Sequence, residues 1–567
     1  MNIRMFALVG LMMSLLDSSA AERFLTPPGN AGRSVTIAKN GMVATSHPLA
    51  AQIGLDILKQ GGNATDAAVA ASAAMGLMEP MSCGIGGDLF AIVWDAKTKT
   101  LHGLHANGGM PMLATREFFK QKNLKEIPET GPYSWSVPGC VDGWDQLLSK
   151  FGSKSFAELL GPSIEYADDG FPVPEVIAGY WKSGMQKLLK DPGSSATYLI
   201  GGKVPKTGDI FKNPVLAATY RAIAKNGGKA FYTGTIAKEL DQFAKSQGAL
   251  LRLEDLQQHK SMWMKPLHVN YRGYDVYELT PPGQGIAVLQ MLNMLKHEDL
   301  AKIGPNSADY WQLLVETKKL VFEDRAKFYA DPGFAKLPID ELLSDAYAMK
   351  RRKLIDLKRA ATAIPPGDPK LGMADTIYLC TADRWGNCVS LIQSNYFGFG
   401  SGLTDPQLGF AMQNRGTLLS LDENHLNRLE PKKKPFHTII PAMVMKDGKP
   451  IFVFGVMGGD MQPQGHVQIL INILDFGMNI QVAGEAPRME HIGSSKPNGS
   501  KQDQKGGTLL IERGMPLHII EDLKKRGHQI RIVDRNGGGY QGIWIDPKTG
   551  IYHGASEARK DGMAVGY

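Results

Sequence analysis

Apolar residues recur at helical spacing in two stretches near the start of the chain. The first covers residues 50–59 and the second residues 64–77, and both are dense in Ala, Met and Leu. A 3.6-residue repeat places such side chains on one face of a helix. Asn63 and Thr65 stand at the start of the second stretch and are candidate N-caps, because their side-chain oxygens accept hydrogen bonds from free backbone N–H groups. The pattern predicts two adjacent helices.

Other stretches have the pattern of strands. A glycine-rich segment at 83–88 leads into the apolar run 89–94, which is typical of a buried strand. Because the glycines precede the strand and open no helix, the segment lacks the order of a dinucleotide-binding fingerprint. The same reasoning predicts further strands at 451–454 and 530–533 and helices at 462–476 and 516–525.

The character of the chain changes in its last third. Residues 157–354 are predicted to be mostly helical, whereas residues 353–373 are rich in proline and glycine and predict an exposed, mobile linker. Beyond it, strand-like runs at 376–382 and 387–393 flank the turn 383–386, which is a hairpin signal. Helices and strands on both sides of the linker predict α+β layers with sheets packed inside.

Composition narrows the class of protein. The chain has 567 residues, 43% hydrophobic and 21% charged, which is typical of a globular protein. Its net charge of +7 is spread along the chain, so no nucleic-acid partner is indicated, and the run Lys432–Lys434 is interpreted as a solvated loop. No Cys or His spacing suggests zinc. We expect four buried, unpaired cysteines: Cys83, Cys140, Cys380 and Cys388.

The first residues resemble an export signal. Arg4 precedes a mostly apolar run from Met5 to Leu16, and Ser19 to Ala21 are small residues that a signal peptidase accepts. A run of about twelve residues is too short to span a bilayer core of about 30 Å. We therefore expect residues 1–21 to be a signal peptide and the mature protein to be periplasmic or extracellular, without a membrane anchor.

Thr376 stands where the linker gives way to a strand, and a self-cleaving hydrolase places its nucleophile in such a setting. A threonine hydroxyl is a weak nucleophile unless a base takes its proton. Cleavage after Asp375 would free an α-amine on the same residue, with a pKa of about 7.7 to 8.0 that suits a general base. Threonine also simply favours strands, so position alone leaves both interpretations open.

Several separated motifs resemble the gamma-glutamyltranspeptidase family, in the same order along the chain. The resemblance extends from about Ser34 to Tyr567. The motifs are Gly61–Ala70, Ser82–Phe90, Val137–Gly139, Gly143–Trp144, Ala230–Gly234, Asp383, Gly386–Asn387, Val389–Ser390, Phe399–Gly400, Gly554–Arg559 and Gly566–Tyr567.

The resemblance implies the fold and the subunits of the mature protein. The fold would be the four-layer αββα sandwich of N-terminal nucleophile hydrolases, which belongs to the α+β class. Cleavage between Asp375 and Thr376 would give a large subunit of residues 22–375 and a small catalytic subunit of residues 376–567. The two subunits would remain together as a heterodimer.

The resemblance also implies the catalytic residues. Thr376 takes the place of the nucleophile, and Ser394 that of a second hydroxyl bound to it. Gly458 and Gly459 match the glycine pair whose backbone N–H groups form the oxyanion hole. Substrate would acylate Thr376, and water or an amine would accept the acyl group. No metal or organic cofactor is implied.

The predicted substrate pocket departs from the family pattern. Asn107 stands where the family has an arginine for the donor's α-carboxylate, and Arg415 lies in the segment that otherwise carries an acid for the donor's amino group. An asparagine cannot replace a guanidinium charge, so the pocket is predicted to prefer an acid without an amino group, bound by Arg415. The alternative places Arg415 at the surface and the clamp elsewhere. The candidate substrate-binding residues are Asn107, Gln413, Asn414, Arg415, His437 and Thr438, the last two replacing the family's serine pair.

The sequence leaves competing functions open. The first is a gamma-glutamyltranspeptidase-like hydrolase or acyltransferase that acts on gamma-glutamyl compounds such as glutathione, or on related small amides. Its rival is the oxamate amidohydrolase and acylase-like branch, which the segment 413–416 and the short stretch 421–435 favour. From another class, an exported, non-catalytic binding protein on the same scaffold is possible. A Ser-His-Asp hydrolase is not favoured, because no Gly-x-Ser-x-Gly elbow occurs.

Overall fold

Helices alternate with mostly antiparallel strands along the chain. The computed structural model describes residues 32–362, 374–503, 505–535 and 538–567, so the predicted signal peptide and residues 363–373 of the predicted linker lie outside the described residues. The strands are β1 Thr36–Ala38, β2 Met42–Thr45, β3 Asp88–Asp95, β4 Thr100–Ala106, β5 Phe171–Pro172, β6 Ile210–Phe211, β7 Met262–Met264, β8 Leu267–Tyr271, β9 Tyr274–Glu278, β10 Ala374–Ala382, β11 Cys388–Phe397, β12 Ala442–Lys446, β13 Lys449–Val456, β14 Met489–Ile492, β15 Thr508–Glu512, β16 Gln529–Val533, β17 Tyr540–Ile545, β18 Tyr552–Ser556 and β19 Met563–Gly566.

The helices vary from one turn to almost six turns in length. They are α1 Pro48–Lys59, α2 Ala64–Met78, α3 Arg116–Gln121, α4 Cys140–Phe151, α5 Phe156–Asp169, α6 Glu175–Ser183, α7 Met185–Leu188, α8 Pro192–Tyr198, α9 Pro214–Asn226, α10 Gly228–Tyr232, α11 Thr235–Ser246, α12 Leu253–Gln257, α13 Gly285–Leu295, α14 Leu300–Ile303, α15 Ala308–Phe328, α16 Ile339–Leu342, α17 Asp345–Arg352, α18 Met461–Leu474, α19 Ile480–Glu485 and α20 Leu517–Lys525. Single 3₁₀ turns occur at Pro132–Ser134 and Arg415–Leu418.

Two large sheets pack face to face between layers of helices. Among the described residues one sheet has the order β1-β18-β17-β13-β12-β9-β8 and the other β19-β2-β10-β11-β3-β4-β7. Apolar side chains from both sheets, including Phe90, Tyr378 and Val453, fill the space between them. Helices α2, α4, α5 and α9 cover the outer face of the second sheet, and α13, α15 and α18 cover the first. This arrangement confirms the predicted αββα sandwich of the α+β class.

The helix that begins after Asn63 forms as predicted, with one correction to its cap. The Asn63 side chain accepts from the N–H groups of Thr65 and Asp66, and the Asp66 carboxylate returns a bond to the Asn63 N–H at 2.9 Å. These reciprocal bonds are a capping box. Thr65 therefore lies inside the helix and does not cap it.

The interval 157–354 is helical for most of its length, but it also supplies strands that the sequence analysis missed. The hairpin of β8 and β9 lies at the edge of the first sheet. Arg272 and Gly273 form its turn with φ values of 56° and 82°, the left-handed geometry that matches the twist of two paired strands. Five-residue strands are short, and the long helices around them dominate the pattern of this interval.

The two predicted subunits share both sheets. β10 and β11, which lie in or extend into the predicted small subunit, pair with β2 and β3 of the predicted large one. β12 of the small subunit pairs with β9 of the large one. A chain break between Asp375 and Thr376 would therefore divide a common core, not two domains.

The described residues also bear on two simpler predictions. All four cysteines lie in the described part of the chain, are buried and form no disulfide, as the sequence analysis predicted. None of the described helices has the length and apolarity needed to cross a membrane.

Candidate active site

Thr376 lies at an irregularity in the ladder that joins β10 and β11. Asp375 lies opposite Tyr396, but the register of the pairing shifts immediately after it. Before the next pair, Ile377 with Gln393, two residues of β11 face Thr376 alone, so the extra residue of this bulge belongs to β11. Thr376 is fully buried, and its Oγ1 donates to Ser394 Oγ at 3.2 Å. The structure thus brings together the two hydroxyl groups that the sequence analysis singled out.

Tyr396, which lies opposite this irregularity, has an unusual backbone conformation. Its φ is +80°, in the left-handed region, which costs a non-glycine residue about 1–3 kcal/mol. Its N–H donates to Ser394 Oγ at 2.9 Å, and the next N–H, of Phe397, donates to Asn414 Oδ1 at 3.2 Å. The Asn414 amide also donates to the backbone oxygen of Glu129 at 2.8 Å. Asn414 therefore supports the backbone beside the two hydroxyl groups.

Arg415 is a buried guanidinium with unused donors. Its Nη1 donates to Thr438 Oγ1 at 2.8 Å, and its Cζ lies 4.5 Å from the centre of the Tyr396 ring. Nε and Nη2 have no hydrogen-bond partner among the described residues. Burial lowers the pKa of Arg415 to about 10, and the Asp88 carboxylate opposes that shift, so the side chain is charged at neutral pH. The Nε–Nη2 edge has the geometry that binds both oxygens of a carboxylate.

Asn107 and His437 lie together on another wall of the site. The Asn107 Nδ2 is 3.4 Å from His437 Nδ1, and Nδ1 is 2.7 Å from the carbonyl oxygen of Pro435. Because a carbonyl only accepts, Nδ1 carries a proton. His437 Nε2 lies 2.7 Å from Asp88 Oδ2. Burial lowers the pKa of His437, whereas the bond to Asp88 raises it. Gln413 is also buried, with neither side-chain amide atom paired among the described residues.

The lysine run beside this wall is not a solvated loop, contrary to the sequence interpretation. Lys433 is completely buried; its Nζ donates to the Leu426 carbonyl at 2.9 Å and lies 3.6 Å from Glu430. Lys434 is largely buried, and its Nζ has no hydrogen-bond partner among the described residues. Of the three lysines, Lys432 alone is exposed. The positive charge of Lys433 is therefore buried inside the protein and does not face solvent.

Gly458 and Gly459 form the turn between β13 and α18. Their φ values are +107° and +58°, a region that glycine enters without a steric penalty. Their carbonyl oxygens accept from the N–H groups of Met461 and Gln462 at 3.0 and 3.2 Å. The C=O and N–H of a trans peptide point in opposite directions, so the Gly459 N–H points away from α18.

Gln284 joins the glycine turn to the pocket. Its Nε2 donates to the carbonyl oxygens of Gly459 at 2.9 Å and Thr438 at 2.7 Å. Its Oε1 accepts from Arg325 Nη1 at 2.6 Å, and Arg325 also pairs with Asp460 at 2.7 Å. Partial burial raises the pKa of Asp460, but Arg325 outweighs this and holds the pKa at about 2. A buried amide thus holds the Gly459 carbonyl, in the peptide next to the one that carries the Gly459 N–H.

The sequence analysis missed several of these residues. Asp88 belongs to the motif Ser82–Phe90, which served only as part of the family resemblance and was not considered as a site residue. Arg325 offered a signal, because an arginine within a helix buried on all sides needs a partner. No sequence signal pointed to Gln284, since a glutamine in a loop is usually exposed. Among the described residues, no group of three His, Cys, Asp or Glu side chains is arranged to hold a metal ion.

Replacing Gln284 by leucine is expected to lower kcat about tenfold with little change in KM. The Gly459 carbonyl would lose the bond that holds it, which would loosen the adjacent peptide that carries the Gly459 N–H. Removing one oxyanion donor outright costs about 10²–10³-fold in another hydrolase, so a loosened donor should cost less. Gln312→Leu is the matched control. Gln312 is equally buried and its amide also bonds two backbone carbonyls, those of Asp356 and Arg359, away from the site. Equal loss in both variants would contradict a positioning role for Gln284.

Comparison with known proteins agrees with this architecture. The gamma-glutamyltranspeptidase family model matches residues 50–567. The chain is 37% identical over 529 residues to the glutathione hydrolase-like YwrD proenzyme of Bacillus subtilis, covering 93% of this chain and 98% of the relative. It is 33% identical over 543 residues to the oxamate amidohydrolase proenzyme of Klebsiella pneumoniae, covering 94% and 100%.

A solved structure is similar over nearly the whole chain. The cephalosporin acylase from Bacillus halodurans superposes with a TM-score of 0.87 at 41% identity, covering 96% of this chain and 98% of that one. Both the sequence relatives and this structure are amide hydrolases or acylases by name, which argues against a non-catalytic binding protein. The chain therefore belongs to the gamma-glutamyltranspeptidase family and is an amide-hydrolysing or acyl-transferring enzyme with the N-terminal nucleophile hydrolase fold.

Proposed function

We propose that this enzyme cleaves itself before Thr376 and then hydrolyses amides of small dicarboxylic acids that lack an α-amino group. The contact between the buried Thr376 and Ser394 hydroxyl groups, at the bulge between β10 and β11, carries the proposal. It is supported by the free Nε–Nη2 edge of Arg415, which stacks on Tyr396 beside the same hydroxyl pair. The third support is Asn107, which stands where the family has an arginine for the donor's α-carboxylate and whose amide carries no charge.

In the self-cleavage step Thr376 Oγ1 attacks the carbonyl carbon of Asp375. The peptide C–N bond breaks as an ester forms, and the nitrogen becomes the Thr376 α-amine. Water then hydrolyses the ester and leaves a carboxylate at Asp375. Because both predicted subunits share the two sheets, the products would stay together as a heterodimer.

In turnover the new α-amine takes the proton of the Thr376 hydroxyl, which attacks the substrate's carbonyl carbon. The N–H groups of Gly458 and Gly459 stabilise the oxyanion. The C–N bond breaks, the leaving amine takes the proton, and Thr376 is left as an ester. Water releases the acid, whereas an amine acceptor gives transfer. The second carboxylate of the acyl group binds the free edge of Arg415.

The substrate class is tested with two amides that differ in one group. Glutaryl-4-nitroanilide and gamma-glutamyl-4-nitroanilide have the same chain length and leaving group, but only the second carries an α-amino group. We expect kcat/KM to favour the glutaryl compound about tenfold or more, because an ammonium without a partner in a buried pocket costs about 1–3 kcal/mol. Preference for the gamma-glutamyl compound would favour glutathione-like substrates and refute this assignment.

We also propose that the protein is exported, on the basis of the pattern from Arg4 to Ala21. N-terminal sequencing of the large subunit from its native host would then begin near Glu22. A large subunit that retains Met1 in the cytoplasm would contradict export and leave the catalytic proposal unaffected.

A further inference from the structure

A buried acid and a buried histidine face each other beside the two hydroxyl groups of the site. Asp88 is the first residue of β3 and lies opposite Ser394 of β11. Side chains at directly opposite positions lie on the same face of a sheet, so the Asp88 carboxylate and the Ser394 hydroxyl are neighbours. Asp88 Oδ2 lies 2.7 Å from His437 Nε2, and both side chains are fully buried. The pair of Asp88 and His437 therefore belongs to the interior of the site.

The carboxylate of Asp88 depends on His437 for charge compensation. Its Oδ1 accepts from the N–H group of Gly139 at 3.0 Å, which is a neutral donor. Among the residues that the structure describes, no lysine or arginine nitrogen lies within 4.0 Å of this carboxylate. A buried carboxylate without a charged partner is costly, and a proton on the imidazole or on the carboxylate removes that cost. The charge of the pair changes by one unit when it gains or loses that proton.

Two sets of contacts connect this pair to Arg415. His437 is followed directly by Thr438, whose Oγ1 accepts from Arg415 Nη1 at 2.8 Å. On the other side, the Tyr396 N–H donates to Ser394 Oγ at 2.9 Å, and the Tyr396 ring centre lies 4.5 Å from the Arg415 guanidinium carbon. A negative charge on the pair therefore acts on the same guanidinium that is proposed to bind the substrate's second carboxylate.

The other ionisable side chains near the pair come from several elements. They are His105, Cys140, Tyr232, His259, Arg415 and Lys434. Burial lowers the pKa of His105 well below its usual value and that of His259 to about 4. Burial raises the pKa values of the Cys140 thiol and the Tyr232 hydroxyl well above theirs. These four groups are therefore uncharged between about pH 5.5 and 9, which leaves the pair and Lys434 to change charge there.

We propose that Asp88 and His437 hold one exchangeable proton, and that this proton sets the preference of the enzyme for acyl groups with a second carboxylate. With the proton, the pair is neutral, and Arg415 is the uncompensated charge that attracts the substrate. Without it, the pair is an anion that competes with the substrate's carboxylate for Arg415. This rests on the proposed function, because Arg415 is there assigned to that carboxylate. Asp88 and His437 determine specificity through Arg415 and take no part in the chemical step.

The test compares glutaryl-4-nitroanilide with pentanoyl-4-nitroanilide on the self-cleaved enzyme between about pH 5.5 and 9, where a carboxylate with an ordinary pKa of about 4.3 is ionised. The acyl chains have the same length, but only the glutaryl group carries a second carboxylate. Ionisation of the Thr376 α-amine affects both reactions and cancels in the ratio of the two kcat/KM values. A nearby unit charge changes such an equilibrium by about 10- to 10³-fold. Because Asp88 and Arg415 are not in contact, we expect the wild-type ratio to fall about tenfold as the pH rises.

Two variants fix the charge of the pair. Asp88→Asn removes the carboxylate and should keep the ratio at its high value at every pH. His437→Gln keeps the carboxylate but removes its titrating partner, and should keep the ratio about tenfold lower at every pH. The matched control is His466→Gln, because His466 is equally buried and forms a second pair with Glu278 at 2.8 Å. Its ratio should change with pH as that of the wild type does. Self-cleavage reports folding, and the wild-type profile decides the proposal if a variant does not fold.

The outcomes separate this proposal from the proposed function. A wild-type ratio that is constant with pH, or equal ratios in Asp88→Asn and His437→Gln, overturns the role of the pair and leaves the proposed function standing. A pH dependence that disappears in Lys434→Gln assigns the proton to the lysine and also overturns the role of the pair. A self-cleaved wild type that prefers the pentanoyl compound at every pH overturns the proposed function itself. A ratio that falls with pH in the wild type, and is constant in the two variants at a high and a low value, supports the pair.

Discussion

Thr376→Ala is expected to leave the chain at full length and to abolish amide turnover. Alanine has no oxygen to attack the Asp375 carbonyl, so neither the ester nor the α-amine can form. The wild type should separate into two polypeptides, one ending at Asp375 and the other beginning at Thr376. Intact mass and N-terminal sequencing of both proteins check this result. Since the nucleophile is removed, turnover should fall by about 10⁴-fold or more.

Thr376→Ser is the matched control, because it retains a hydroxyl group that can reach Ser394. It should self-cleave, more slowly than the wild type, and retain measurable turnover. An alanine variant that is still cut before residue 376 would show that another group or a protease cuts the chain. A wild type that stays whole in every preparation would remove the basis of the proposed mechanism.

Arg415→Met is expected to have the second largest effect. Methionine keeps much of the buried volume but cannot donate to a carboxylate. Losing a buried, charge-assisted pair costs about 2–5 kcal/mol, so kcat/KM for glutaryl-4-nitroanilide should fall by about 10²-fold or more. Steady-state kinetics on the self-cleaved variant checks the size of the loss.

Arg415→Lys separates charge from geometry. Lysine keeps the cation but cannot form the two parallel bonds of the Nε–Nη2 edge, so its activity should lie between those of the wild type and the methionine variant. Self-cleavage should continue in both variants, which confirms that they fold. If Arg415→Met hydrolyses the glutaryl compound at the wild-type rate, Arg415 is not the carboxylate ligand.

Local sequence patterns were sufficient for many of the secondary-structure elements. The helix after Asn63 and the strand that follows Cys83 form as predicted, because their apolar periodicity agrees with their burial. The hairpin of β10 and β11 also forms as predicted, with its turn at Asp383 to Gly386. In these segments local propensity and tertiary packing favour the same structure, so a short window of sequence is enough.

Where short-range pattern and tertiary environment differ, the sequence analysis was wrong. Lys433 belongs to a run of charges that normally indicates solvent, yet it is buried because Leu426 and Glu430 supply its partners. The β8–β9 hairpin acquires its place only by pairing with β12, far away in the sequence. Long-range partners of this kind leave no trace in a local pattern.

The sequence by itself determined the family and the αββα class, and it singled out Thr376 as the candidate nucleophile. These depend on motifs and periodicities that are contiguous in the chain. Only the tertiary structure decided which edge of Arg415 is free, and that Gln284 and Arg325 hold the glycine turn. These features depend on distances between residues separated by tens to hundreds of positions. The physical reason is that burial, hydrogen-bond satisfaction and charge compensation are properties of a three-dimensional neighbourhood, which the order of residues specifies only through the complete fold.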